Sequence, residues 1–152
     1  MEEISRPAAA PDSLTGRMRG MEWRVTRFHG EALKPFGVNM YQAMSLIYIA
    51  WYGRSRDVNQ RAIEQYLYLS NPGVSKIITY LEREGYVERA TDPRDARSYL
   101  LLATEKGERF AVVLNEAILE ADRGILRSLT AAERKTLLRL LEKIVDKEAE
   151  SS

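Results

Sequence analysis

The sequence predicts a mainly α-helical protein with one small β-hairpin, on three observations. Apolar residues recur at three- and four-residue steps over most of the chain, the period of an amphipathic helix. That period gives way around residues 86–102, where two extended runs, Tyr86-Val87-Glu88-Arg89 and Ser98-Tyr99-Leu100-Leu101-Leu102, flank the turn Asp92-Pro93-Arg94-Asp95-Ala96-Arg97. Helix punctuation sits where the pattern needs it: Asn39 with Gln42, Thr130 with Glu133, and a glycine at position 85.

The elements follow in order. Residues 1 to about 13, with Pro7, three alanines and Pro11, show no period and are expected to form a loose, flexible arm. Leu14, Met18, Met21, Val25, Phe28 and Ala32 then make a helical stripe that ends near Lys34, before Pro35 and Gly37. Gly16, Gly20 and Gly30 lower the intrinsic propensity of that helix, so packing has to hold it. Asn39 starts a second helix, to about Trp51, apolar on most sides and expected at the buried centre. A short helix over residues 59–67 is expected to turn Ala62, Ile63, Tyr66 and Leu67 inward. The next begins at Ser70-Asn71-Pro72 and gathers Val74, Ile77, Ile78 and Leu81 on one face, with Ser75, Lys76, Thr79 and Tyr80 interspersed. After the hairpin, Thr104 caps a long helix with the stripe Phe110, Val113, Leu114, Ala117, Ile118 and Ala121. The last helix carries Leu137, Leu138, Leu140, Leu141, Ile144 and Val145. Four helices, a hairpin and two helices make a winged helix-turn-helix core extended by N- and C-terminal helices.

Composition bounds the chemistry. A chain of 152 residues with 45% hydrophobic and 30% charged residues reads as one folded soluble domain. Cysteine is absent and His29 is the one histidine, which excludes disulfides and thiolate sites and argues against a metal or other cofactor. No glycine-rich phosphate loop and no Ser/His/Asp or Cys/His set is present, so an enzyme is not expected. The start, Met1-Glu2-Glu3-Ile4-Ser5, lacks the features of a signal peptide, and the longest apolar stretch, residues 43–52, is far short of a bilayer span. A cytoplasmic location with no membrane partner is expected. Net charge is +1, and residues 54–103 hold 8 basic against 7 acidic side chains. The acids of that segment, however, cluster at Glu82, Glu84 and Glu88, whereas Lys76, Arg94 and Arg97 mark the helix start and the hairpin tip, so a local positive face is concealed in the total.

A polar-faced helix followed by an arginine-tipped hairpin suits a major groove and an adjacent minor groove. Ser70, Asn71, Ser75, Lys76 and Thr79 form the expected recognition surface, with Lys76 placed to donate to guanine O6 and N7. Arg61, at the start of the preceding helix, suits a phosphate, and Asn59 and Gln60 beside it suit either a cap or a phosphate. The flanking stripes add a second expectation. Exposed, they would cost about 25 cal/mol per Å² of apolar surface. A two-fold homodimer that buries them also sets two recognition helices about one DNA turn apart, matching a pseudo-palindromic operator in double-stranded DNA.

Val74-Ser75-Lys76, then Leu81-Glu82-Arg83-Glu84-Gly85-Tyr86-Val87-Glu88-Arg89, the wing Asp92-Pro93-Arg94-Asp95-Ala96-Arg97, and Leu102-Ala103-Thr104-Glu105-Lys106-Gly107 together resemble the MarR family, the multiple-antibiotic-resistance regulators. The resemblance runs from about Leu33 to Gly107, and it departs from the family pattern at Pro72-Gly73 and at Ala96. It implies one domain over residues 14–152, with a DNA-binding core at about 39–103 and dimerisation segments at 14–34 and 104–148. It implies that Arg94 and Arg97 reach toward the minor groove, with Asp95 holding Arg97. It also implies a small aromatic or phenolic effector in a cleft lined by Trp23, Phe28, His29, Tyr41, Tyr48, Trp51 and Tyr52. The function expected is a homodimeric transcriptional regulator, a repressor released by that effector. The alternative is a winged-helix protein–protein interaction module without sequence-specific DNA binding.

Overall fold

The computed structural model describes residues 10–149; of the expected arm over residues 1 to about 13, residues 1–9 lie outside the described residues. Its elements are α1 (Leu14–Leu33), a 3-10 turn (Lys34–Phe36), α2 (Met40–Tyr52), α3 (Gln60–Leu67), α4 (Asn71–Arg83), β1 (Val87–Asp92), β2 (Asp95–Ala103), α5 (Glu105–Ile125) and α6 (Ala131–Ala149). The chain divides into two compact units: a central one, His29–Leu119, and a terminal one from the segments before and after it.

The central unit closes around α4. Val74, Ile78 and Leu81 of α4 are buried with Leu46 and Ile49 of α2, Ile63 and Leu67 of α3, and Leu101 of β2. Capping follows the sequence. Asn39 and Gln42 form a reciprocal capping box on α2, at 2.9 and 3.0 Å. The Asn59 side chain accepts the Ala62 amide, which makes Asn59 a cap for α3. Tyr68 closes α3 in the left-handed region at φ 54°, and the chain turns at once into α4, with Ser70 at the N-cap position but making no side-chain cap bond. Gly85, at φ 77°, takes the left-handed conformation that ends α4 and feeds β1.

The start of α5 is pinned to this turn. The Thr104 hydroxyl donates to the Gly85 carbonyl at 2.6 Å and accepts the Gly107 amide at 3.0 Å. The backbone here is so close that a Cβ on Gly107 would lie 1.9 Å from the Tyr86 carbonyl oxygen. The Thr-x-x-Gly spacing is therefore a packing requirement: the threonine ties the helix end to the strand and the glycine lets them meet. Tyr86 stacks on Phe110 at 4.7 Å, holding α5 to the core.

Within the terminal unit, Ala121 and Ile125 are buried, and Arg24 donates to the Gly124 and Ile125 carbonyls at the end of α5. Thr130 and Glu133 form the expected capping box on α6. Much of the apolar surface here stays open: Met18 is 51% exposed, Trp23 60%, Leu138 60% and Ile144 66%.

Three expectations need correction. The wing turn is not six residues long: β1 runs on to Asp92 and β2 starts at Asp95, leaving Pro93 and Arg94 as the turn. Because Thr91 pairs with Tyr99 while Asp92 pairs with Asp95, Ala96, Arg97 and Ser98 have no ladder partner and bulge from β2. Arg97 is thus presented by a bulge, not by the tip. Secondly, the expected stripe of α5 fails at Val113, which is exposed: Leu114 and Ala121 are buried and Phe110, Ala117 and Ile118 partly buried as expected, but Gly107 and Ala111 are buried as well, since small residues allow the closest approach. Thirdly, Tyr66 is not enclosed by the core but remains 37% exposed, stacked on Tyr48.

Candidate nucleic-acid interface

The start of α3, the start of α4 and the wing border one open groove of about 610 Å³ in the central unit. Of the residues singled out from the sequence, Asn59, Gln60, Arg61, Asn71, Asp95 and Arg97 line it. Ser70, Lys76 and Thr79 are exposed on α4 outside this lining, and Ser75 is partly buried. The spacing explains the division: the apolar stripe of α4 faces the core, so Lys76 and Thr79 face away from it. Lys76 has no ion-pair partner among the described residues, which leaves a complete positive charge on that face.

The sequence reading did not single out Arg89, Ser98 and Tyr99, which also line the groove. Arg89 pairs with Glu82 at 3.1 Å and lies over the Tyr99 ring. Alternation along β1 and β2 was the available signal, since strand residues two apart share a face.

The two wing arginines differ. Nη2 of Arg94 lies 2.5 Å from Asp57, in the α2–α3 connection, and its Nε 3.5 Å from the buried Asp92. Asp57 first and Asp92 second raise the guanidinium pKa above its ordinary value, so Arg94 is charged but already paired. Asp92 also accepts the Arg94 amide at 2.9 Å, an Asx turn that shapes the tip. Asp95 holds Arg97 through the Arg97 backbone amide, at 2.9 Å, rather than through the guanidinium. The Arg97 guanidinium is exposed and has no ion-pair partner among the described residues.

A second hollow in the central unit, of about 350 Å³, gathers the aromatic residues. Tyr48, Trp51 and Tyr52 of α2 line it as expected; Ile47, Arg56, Tyr66 and Asn115 join them. Tyr48 stacks on Tyr66 at 4.5 Å, and Arg56 lies over the Tyr52 ring at 4.6 Å. Burial, then the neighbouring Tyr52 and Tyr48, raise the Tyr66 pKa, so it stays a neutral phenol. His29 is a buried residue of α1 outside this lining, and Tyr41 is half exposed. Trp23 and Phe28 belong to the terminal unit, where Arg27 lies over Trp23 and Arg24 over Phe28.

Comparison with known proteins places this arrangement. The MarR family model matches residues 42–98, from α2 to the wing. A putative transcriptional regulatory protein for the hcr operon of Thauera aromatica is 28% identical over 94 residues, covering 62% of this chain and 57% of that protein. The HTH-type transcriptional regulator BilQ of Clostridioides difficile is 25% identical over 116 residues, 76% of each chain. Among solved structures, the S. aureus MepR–DNA complex superposes with a TM-score of 0.77 at 19% identity, covering 89% of this chain and 98% of that one. The matched segment holds the helix-turn-helix and the wing, and over it the chain is similar to the MarR family of winged helix-turn-helix transcriptional regulators.

Proposed function

We propose that the protein is a homodimeric, sequence-specific DNA-binding repressor that a small aromatic or phenolic effector releases. The groove between α3, α4 and the wing carries this reading, because Arg61 and Arg97 project from different elements around one space. Lys76 reads a base edge in the major groove from the exposed face of α4, flanked by Ser75 and Thr79. Arg97 reaches the adjacent minor groove, and Arg61 holds a phosphate. MepR, a structural neighbour, was solved with DNA.

The chain from residue 14 onward acts as one domain, reading DNA through about 39–103 and dimerising through 14–34 and 104–148. Exposed Met18, Leu138 and Ile144 support a second copy as the cover for these helices. The aromatic hollow is of a size suited to a small ligand, and its aromatic rings favour an aromatic one. The protein works in the cytoplasm by binding, not by catalysis, and no described helix is long and apolar enough to cross a membrane.

Fluorescence anisotropy on a selected operator and a scrambled duplex, at several salt concentrations, tests the reading. Log affinity should fall against log salt with a slope of about −0.9 per neutralised phosphate. Lys76→Ala should cost about 1–3 kcal/mol on the operator and much less on the scrambled duplex. A flat salt dependence, with equal binding to both duplexes, overturns it and favours the protein–protein module.

A further inference from the structure

Two carboxylates on the proposed DNA face, Asp95 of the wing and Glu64 of α3, have no ion-pair partner among the described residues. Glu64 of α3 lines the groove with Arg61 and Arg97, and its charge opposes any phosphate that enters. Its partners are two amides. Nδ2 of Asn71 donates to Glu64 Oε1 at 2.9 Å, and Nε2 of Gln60 donates to the same oxygen at 3.3 Å. Gln60 Nε2 also lies 3.4 Å from the Asn71 carbonyl oxygen, so α3 holds both the side chain and the backbone of the first residue of α4.

The chemistry of this contact fixes an orientation. An asparagine amide presents a carbonyl oxygen on one side and an NH2 on the other, and in solution either can face a ligand. An ionised carboxylate only accepts, so Glu64 keeps the Asn71 nitrogen on its own side. One N–H is used there; Oδ1 and the second N–H remain. An acceptor beside a donor is the pattern that meets adenine, whose N6 donates and whose N7 accepts. Asn71 is exposed at the N-terminus of the recognition helix, where such helices contact base edges. We infer that Glu64 is a positioning residue that locks Asn71 as an adenine reader, giving up general affinity for DNA in return for a base preference. This rests on the DNA-binding reading above.

The test is a selection from random duplexes with the full-length protein, followed by anisotropy on duplexes carrying each base at the positions selected. Wild type should prefer adenine at one position in each half-site, by about 5- to 100-fold over the other bases. Asn71→Ala should lose that preference and keep the others. Glu64→Ala should lose the same preference while binding random DNA more tightly than wild type, because a negative charge is gone. Glu64→Gln, equal in size, should relax the preference too, since its amide can meet Asn71 either way round. A role in holding the fold alone would weaken operator and random DNA together. Adenine retained in both Glu64 variants overturns the inference, as does an Asn71→Ala variant that changes no position. Wild type that selects no sequence at all overturns the DNA reading itself, and this inference with it.

Discussion

The two units of the chain treat their apolar residues in opposite ways. In the central unit Leu33, Leu46, Ile78 and Leu81 are at most 1% exposed. In the terminal unit Leu14, Trp23, Leu138 and Ile144 are at least 60% exposed. Apolar residues at helical spacing occur in both units, so periodicity does not separate them. What separates them is whether the chain itself supplies a covering surface. The central unit has α2, α3, α5 and the wing around α4, whereas the stripe of α6 has Ala121 and Ile125 as its unit's buried residues and stays open. A stripe without a cover is the mark of a surface that meets another chain.

That contrast can be broken at either end. The largest effect belongs to the central unit. Leu46→Ala should lower the unfolding free energy by about 2–5 kcal/mol, because the site is closed on all sides and a cavity remains. Urea denaturation followed by circular dichroism measures it; a loss under about 1 kcal/mol would mean that α2 is not the centre of the core. Ile144→Glu acts on the other unit. If a second copy covers α6, the buried carboxylate should raise the dimer dissociation constant about 100-fold, about 2.7 kcal/mol. Light scattering would then give one chain mass at micromolar concentration while helicity persists. A dimer of unchanged stability would remove α6 from the interface.

Gly107→Ala probes the closest backbone approach in the central unit. The added methyl meets the Tyr86 carbonyl oxygen, a backbone atom that cannot turn aside, so α5 must move at its start. A loss of about 1–3 kcal/mol is expected, as for other overpacked sites. The same denaturation experiment reads it, and wild-type stability would show that the strand end yields.

How much of this was legible in the sequence depended on the reach of the interaction. The α4 stripe, the capping boxes at Asn39 and Thr130 and the glycine at 85 all follow from residues within a turn or two of each other, and they stand as read. The reason for Gly107 did not follow, because Tyr86 meets it only in three dimensions. Apolarity alone favours Val113 over Gly107 or Ala111 for the buried face, yet close packing favours the small residues. In the groove, Arg61, Asn71 and Arg97 were visible as exposed polar residues on named elements. Glu64 was invisible as an orienting group, and Asp57 as the partner of Arg94, since neither pairing lies along one helix or across one hairpin.

The smallest effects distinguish the two wing arginines, and they complete the contrast between the units. Arg94 is held by Asp57 and Asp92 at the protein surface, where solvent and salt screen such pairs. Arg94→Ala should therefore change stability little. Because its charge is already balanced by Asp57 nearby, it should leave the salt slope of DNA binding within error of wild type. Arg97, unpaired on its bulge, should behave differently: Arg97→Ala should weaken operator and scrambled DNA alike and lower the slope by about one unit. Neither change touches the terminal unit, so both variants should keep the mass of two chains in light scattering, the converse of Ile144→Glu. Equal losses of slope for the two arginines would mean that DNA pulls Arg94 away from Asp57. An Arg97→Ala variant that matches wild type at every salt would leave the wing as scaffold, with Lys76 and Arg61 carrying the charge.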